Sequence, residues 1–224
     1  MTATAQPVDV SNYDGLVLYY YRYCPYSQRV LVTLEETNTP YKPVEIDLLN
    51  KPEWYLKINE KGETPTLRLA DGTYMTESNL ISAYIDKNFS KPGETLIPQD
   101  DGALPFYKDL QVIYVVISKE AYLANQSSDM KLKQKTWDEV YPEFLKIETI
   151  FRERATGEGY AMASRYGFND IFNQPFFTEL IHLGKTLGHD VYADKNLPAF
   201  NKWYKACSAR PSFIHNIPDR FQKN

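Results

Sequence analysis

The chain has 224 residues, 43% of them hydrophobic and 24% charged, with a net charge of −4 and a pI near 5.5. Its length allows one large domain or two modest ones, and its mild acidity argues against a general nucleic-acid binder. No apolar run approaches the roughly 20 residues of a membrane span, and residues 1–7, with no arginine before Arg22, read as neither a secretory signal nor a transit peptide.

The first predicted element is a strand over Leu16-Val17-Leu18-Tyr19-Tyr20-Tyr21, apolar enough to be covered on both faces. Cys24-Pro25 follows, then an amphipathic helix in which Tyr26, Val30 and Leu34 recur every four residues. Proline suits a first helical turn, because the N–H it lacks would have no intrahelical partner there. Cys24 is therefore expected at the strand-to-helix turn, beside unpaired N–H groups and the positive end of a helix dipole. Such a place favours a thiolate over a thiol. The fourth position of Cys-Pro-Tyr-Ser is Ser27, whose hydroxyl can hydrogen-bond the sulfur but cannot resolve a mixed disulfide. Release of any disulfide at Cys24 then needs an external thiol, which points to glutathione.

Asn38-Thr39-Pro40 stops this helix. From Tyr41 to Asp47, Val44 and Ile46 alternate with charged residues, predicting a second strand and a right-handed βαβ unit. Residues 48–59, with Lys51-Pro52-Glu53-Trp54, predict a short helix or an irregular segment. Pro65 stands at the entry of a third strand, where its missing N–H is tolerated. Asp71-Gly72 is a hairpin turn and Thr73-Tyr74-Met75 the return strand. Thr76-Glu77-Ser78-Asn79 supplies capping residues for a helix carrying Leu80, Ile81, Tyr84 and Ile85. The order β-α-β, then β-β-α, is that of a thioredoxin-like domain.

The composition shifts at Ser90-Lys91-Pro92-Gly93, and strand signals nearly vanish beyond it. Residues 1–90 are read as the thioredoxin-like domain, 91–104 as a linker and 105–224 as an all-helical C-terminal domain. Within the last, an apolar pattern from 105 to 126 predicts one helix. A second block carries Trp137, Tyr141, Phe144, Leu145 and Ile147, with Pro142 expected to kink or break it. Gly157, Gly159 and Gly167 punctuate a turn, and Phe168 to about Leu187 predicts an unusually apolar, central helix. Pro198 opens a last helix with Phe200, Trp203, Tyr204 and Cys207, stopped by Arg210-Pro211. Cys24 and Cys207 lie too far apart in sequence to suggest a structural disulfide, so a reducing compartment fits, and Cys207 is expected to be buried and inert. His182, His189 and His215 have no ligand spacing, and no metal site is indicated.

Four motifs in this order resemble the cytosolic glutathione transferases, and within them the cysteine-type group of the omega class and its dehydroascorbate-reductase relatives. They are Tyr23-Cys24-Pro25-Tyr26-Ser27-Gln28-Arg29, Asn50-Lys51-Pro52-Glu53-Trp54, Thr64-Pro65 and Glu77-Ser78. In the helical half, Asn169-Asp170-Ile171 through Pro175-Phe176 resembles the family's buried folding signature, and Pro198 through Trp203 to Pro211 its penultimate helix. The family has valine more often than Thr64 before its cis-proline, and Ser27 leans toward the dehydroascorbate reductases.

The resemblance implies glutathione as co-substrate, held by Lys51 at its glycyl carboxylate, by Thr64-Pro65 at its cysteinyl backbone, and by Glu77 and Ser78 at its γ-glutamyl end. For Glu77 and Ser78 a helix cap is the alternative, and for Lys51 a solvated charge. Trp203, with Tyr204, matches the aromatic wall of the second-substrate pocket, and Tyr26 is taken with it; packing in the core is the alternative for Trp203. The activity implied is thiol transfer, through a Cys24–glutathione disulfide, onto mixed disulfides or dehydroascorbate. A soluble cytoplasmic homodimer, without metal, membrane or nucleic-acid partner, goes with it. Two rivals remain: conventional conjugation driven by a hydroxyl among Tyr19, Tyr20 and Tyr21, and a non-catalytic ligand-binding protein like the chloride intracellular channel group, which carries Cys-Pro-Phe-Ser.

Overall fold

In the computed structural model, which describes residues 8–97, 120–154, 159–160 and 165–222, the run of β-formers becomes strand β1 (Leu16–Tyr20). It lies inside a four-stranded sheet of order β2-β1-β3-β4. β2 (Tyr41–Glu45) pairs with it in parallel, as a crossover connection demands, and β3 (Thr66–Arg68) pairs antiparallel. The hairpin partner β4 (Tyr74–Met75) closes the edge. Alternation along β1 divides its side chains between two layers. Leu16 and Leu18 pack with Val30, Leu31 and Leu34 of helix α1 (Pro25–Glu36) and with Ile81 and Ile85 of α3 (Ser78–Phe89). Val17 and Tyr19 pack instead with Val44, Ile46 and Tyr55, the last from the single turn α2 (Glu53–Leu56). This β-α-β–β-β-α arrangement is the thioredoxin-like fold expected.

Two positions of the expected apolar stripes turn outward. The Tyr26 ring is 43% exposed, while Ser27, Gln28 and Arg29 are buried in its place. Leu80 is likewise exposed, leaving Ile81 and Ile85, one turn apart, to anchor α3. A four-residue apolar repeat near a helix start does not say which neighbours the first turn meets. Here it meets the loop before Cys24, and polar side chains serve that contact.

Described residues up to Thr95, with Asn216–Pro218, form one compact unit; those from Leu96 to His215, with those from Asp219 onward, form a second. Among its described residues the second has helices and no strand. Residues 120–126 are helical, while residues 105–119 of the first predicted helix, residues 98–104 of the linker and Gly157 lie outside the described residues. α4 (Met130–Arg154) continues through Pro142, so of the kink or break expected there the break does not occur. Trp137 and Val140 before the proline, and Phe144, Ile147 and Phe151 after it, are all buried. Packing on both sides holds the helix together across the hydrogen bond that proline cannot make. The central α5 (Phe168–Thr186) is buried along almost its whole length. α6 (Pro198–Ser208) packs against it, and two short helices the sequence did not suggest follow, α7 (Pro211–Asn216) and α8 (Asp219–Gln222). Pro211 both stops α6 and starts α7, since proline fits a first turn as well as it ends a last one.

α5 carries an unusual group. Glu179 is fully buried and accepts from Asn125 Nδ2 at 2.8 Å and from the Arg220 guanidinium of α8. Burial pushes its carboxyl up to about 7, against the opposing effects of Arg220 and Asn125. A carboxyl whose folded pKa lies above its ordinary 4.5 binds more protons in the fold than in the open chain. It therefore favours the fold at low pH, and that contribution is lost as pH rises through about 7. Glu179→Gln is expected to flatten the decline in stability between about pH 4.5 and 7, read as urea midpoint against pH. A decline of unchanged slope would assign the titration to another group.

Candidate functional site

The site is built where β1 hands over to α1. Cys24 is the N-cap of α1 in extended conformation, Pro25 is its first residue, and neither a side-chain cap nor an acidic residue offsets the dipole in the first turn. Cys24 thus stands at the positive end of the α1 dipole. The thiol is 7% exposed, and Sγ lies 3.4 Å from the carbonyl oxygen of Thr64, to which it donates. The Thr64–Pro65 bond is cis. Sulfur and this turn, 40 residues apart, are thus brought together.

The loop before Cys24 is held from three sides. The Cys24 N–H donates to Tyr21 O at 2.9 Å, Gln28 Nε2 donates to Arg22 O at 3.2 Å, and the Tyr21 N–H donates to Ser27 Oγ at 3.3 Å. Ser27 therefore serves the backbone of the loop; the expected hydrogen bond to the sulfur is not formed. Arg22 forms a two-pronged pair with Glu45 of β2, at 2.7 and 2.9 Å. Sequence reasoning gave no role to Gln28, Arg22 or Glu45, because nothing in their spacing marks contacts across six and 23 residues.

The Thr64 turn has its own support, which the sequence also did not reveal. Tyr55 Oη donates to Glu63 O at 2.5 Å and lies 3.0 Å from Thr66 Oγ1. Asn59 Nδ2 donates to the same two oxygens, both at 3.0 Å. Since the tyrosine proton goes to Glu63, the Thr66 hydroxyl donates to Tyr55 while accepting from Asn59. Gly62 closes the turn at φ +60, where an added Cβ would stand 2.7 Å from Leu56 Cδ2 and 2.9 Å from Lys51 Cδ. Only glycine is accommodated there. The exposed Lys51 lies along this turn, with Nζ 3.4 Å from Lys61 O.

At the start of α3, Glu77 is exposed and sits at φ +68, a region that costs a non-glycine residue about 1–3 kcal/mol. Ser78, buried, is the first helical residue, and its hydroxyl accepts from Arg29 Nη1 at 3.3 Å. The structure thus joins Cys24 to Thr64 and Pro65 directly, and to Ser78 and Glu77 through α1. Trp203 is 1% exposed inside the helical unit, stacked on Phe151 at 4.9 Å, with Nε1 donating to Asp170 Oδ1 at 2.7 Å. These are the contacts of the core-packing alternative; Tyr204, buried with its hydroxyl 2.7 Å from Thr178 Oγ1, packs in the same way.

Cys207 is fully buried 3.7 Å from Asp170 Oδ1; burial pushes its thiol well up, and the neighbouring carboxylate adds to this. In native protein, labelling of Cys207 by iodoacetamide is expected to proceed only at the rate of unfolding, measured by peptide mass. Rapid native labelling would refute that. Among the described residues, no group of three or more His, Cys, Asp and Glu is arranged to hold a metal ion, and no helix is long and apolar enough to cross a membrane.

Comparison with known proteins agrees with this geometry. Residues 18–93 match the family model described as the glutathione S-transferase N-terminal domain. Pig (Sus scrofa) glutathione S-transferase omega-1 is 28% identical over 218 residues, 92% of this chain and 83% of its own. Glutathione S-transferase DHAR2 of Arabidopsis thaliana is 38% identical over 76 residues, 34% of this chain and 35% of its own. The crystal structure of glutathione transferase Omega 1C from Trametes versicolor superposes with a TM-score of 0.72 at 18% identity, covering 91% of both chains.

Proposed function

We propose that the chain, whose residues 18–93 match the glutathione S-transferase N-terminal domain, is a glutathione-dependent thiol transferase and reductase working through Cys24. The observation that carries the proposal is the thiol at the α1 N-cap, 3.4 Å from the Thr64 carbonyl. In the first step the Cys24 thiolate attacks the glutathione sulfur of a mixed disulfide. The Cys24–S–S–glutathione bond forms as the substrate's S–S bond breaks, and the substrate leaves as a thiolate. A second glutathione thiolate then attacks the glutathione sulfur, releasing oxidised glutathione and regenerating Cys24. With dehydroascorbate, the same two glutathiones supply the two electrons and two protons that make ascorbate.

Glutathione is held, under this reading, with its cysteinyl backbone against Thr64 at Pro65, its γ-glutamyl carboxylate at Ser78, its amine at Glu77 and its glycyl carboxylate at Lys51. Ser78 offers both an N–H at the positive end of α3 and a hydroxyl. Tyr26, with its ring exposed, is the aromatic available to a second substrate. The protein is proposed to act in the cytoplasm and as a homodimer. Hydroxyl-driven conjugation gains nothing from Tyr19, which is buried and pushed up to about 12 by that burial, so that it holds its proton at neutral pH.

The test is covalent. Incubation with oxidised glutathione is expected to add one glutathione per chain, on the peptide containing Cys24, and reduced glutathione is expected to remove it. No adduct, or one on Cys207, would overturn the mechanism.

A further inference from the structure

A buried cation lies under the proposed γ-glutamyl subsite, and nothing in the thiol chemistry calls for it. Arg29 is on the third residue after Tyr26 in α1, yet only 4% exposed. Taking a guanidinium out of water is costly unless its surroundings return the loss. Part of the return is visible. Nη1 donates to Ser78 Oγ at 3.3 Å, and the guanidinium carbon lies 5.3 Å from the centroid of the Tyr26 ring.

The direction of the first contact has a consequence for Ser78. A guanidinium only donates, so the Ser78 oxygen must accept, and the hydroxyl proton is turned away from Arg29 toward another acceptor. The same residue presents its N–H at the first position of α3, a helix of 12 residues with no acid in its first turn. An N–H, a directed O–H and a positive charge one atom behind them suit a carboxylate. Because Arg29 is shielded from solvent, its field at that carboxylate is screened far less than that of an exposed lysine.

We propose that Arg29 is a positioning residue for the γ-glutamyl α-carboxylate of glutathione: it orients the Ser78 hydroxyl and supplies buried positive charge behind it. This rests on the reading of Ser78 given above. Arg29 does not touch the reacting sulfur, so it acts on binding and leaves the chemical step at Cys24 unchanged.

The experiment is equilibrium binding of S-methylglutathione, which cannot enter disulfide chemistry, and of its analogue lacking the γ-glutamyl α-carboxylate. Wild type is expected to prefer the parent ligand by about one to two orders of magnitude. Arg29→Gln is expected to bind the two within about threefold of each other, Arg29→Lys to keep an intermediate preference, and Ser78→Ala to lose most of it. Ser78→Ala leaves the buried guanidinium in place and so reports even if Arg29→Gln fails to fold. Saturating turnover of Arg29→Lys with a glutathionyl mixed disulfide is expected to match wild type while its KM for glutathione rises. An undiminished preference in Arg29→Gln or Ser78→Ala, with wild-type binding intact, would overturn this role of Arg29 alone. Absence of S-methylglutathione binding to wild type would overturn the glutathione site itself.

Discussion

Cys24→Ala is expected to bring glutathione-dependent reduction of dehydroascorbate and of a glutathionyl mixed disulfide down to the uncatalysed background, a loss on the order of 10³-fold or more. The size follows from the chemistry: without the sulfur there is no intermediate disulfide, and only positioning of glutathione remains. The fold is expected to survive, because what is lost is one small side chain and a weak S–H donation to Thr64 O, together on the order of 1 kcal/mol. Cys24→Ser is the sharper variant. Serine is a good N-cap and keeps α1 intact, but its hydroxyl forms no disulfide, so it is expected to be as inactive as alanine toward both reducible substrates. A chlorinated aromatic serves as the counter-assay. If it alone is turned over, and Cys24→Ala retains that activity, the working group is a hydroxyl and the thiol-transfer mechanism is wrong.

How much of this was legible in the sequence depends on the range of the interaction. Cys24 at a strand–helix turn could be read directly, because the β-rich run, the proline and the following period are all local signals. The same holds for the Asp71-Gly72 hairpin and for the start of α3 at Ser78. The supports of the site are different. Arg22 with Glu45, and Tyr55 and Asn59 with Glu63 and Thr66, are polar contacts within loops or between them, and no periodicity announces a polar contact. Ser27 and Arg29 were visible as parts of a motif, yet their partners were not: Ser27 holds the Tyr21 N–H, and Arg29 meets a residue 49 positions away. Pro142 shows the opposite failure. A local rule predicted a kink or a break in α4, and with buried side chains packed on either side of the proline the helix is not broken. Trp203 was ambiguous for a related reason: an indole at helical spacing fits a pocket wall and a core equally well until its N–H partner is known.

That partner makes Asp170→Ala the substitution with the largest expected effect on stability, a loss of about 3–5 kcal/mol. Asp170 is buried at the start of α5, and its two oxygens accept from the residue before α5 and from α6. Oδ2 accepts from the Gly167 N–H at 2.9 Å, holding the first turn of α5; Oδ1 accepts from Trp203 Nε1 at 2.7 Å and from Cys207 Sγ at 3.7 Å, tying in α6. Alanine leaves the buried Trp203 N–H with no acceptor, at about 1–3 kcal/mol, and removes the cap that Asp170 gives the half-buried Gly167 N–H, at about 0.5–2 kcal/mol. Asp170→Asn separates these contributions. An amide has one accepting oxygen and one donating nitrogen, so it can satisfy either Gly167 or Trp203 while presenting a donor to the other. It is expected to fall between wild type and alanine. Urea denaturation followed by tryptophan fluorescence measures both, since Trp203 reports from the contact that is lost. The expected result is a lower midpoint with an unchanged slope. A loss below about 1 kcal/mol for Asp170→Ala would mean that the two donors find other acceptors, and that Asp170 does not hold α5 to α6.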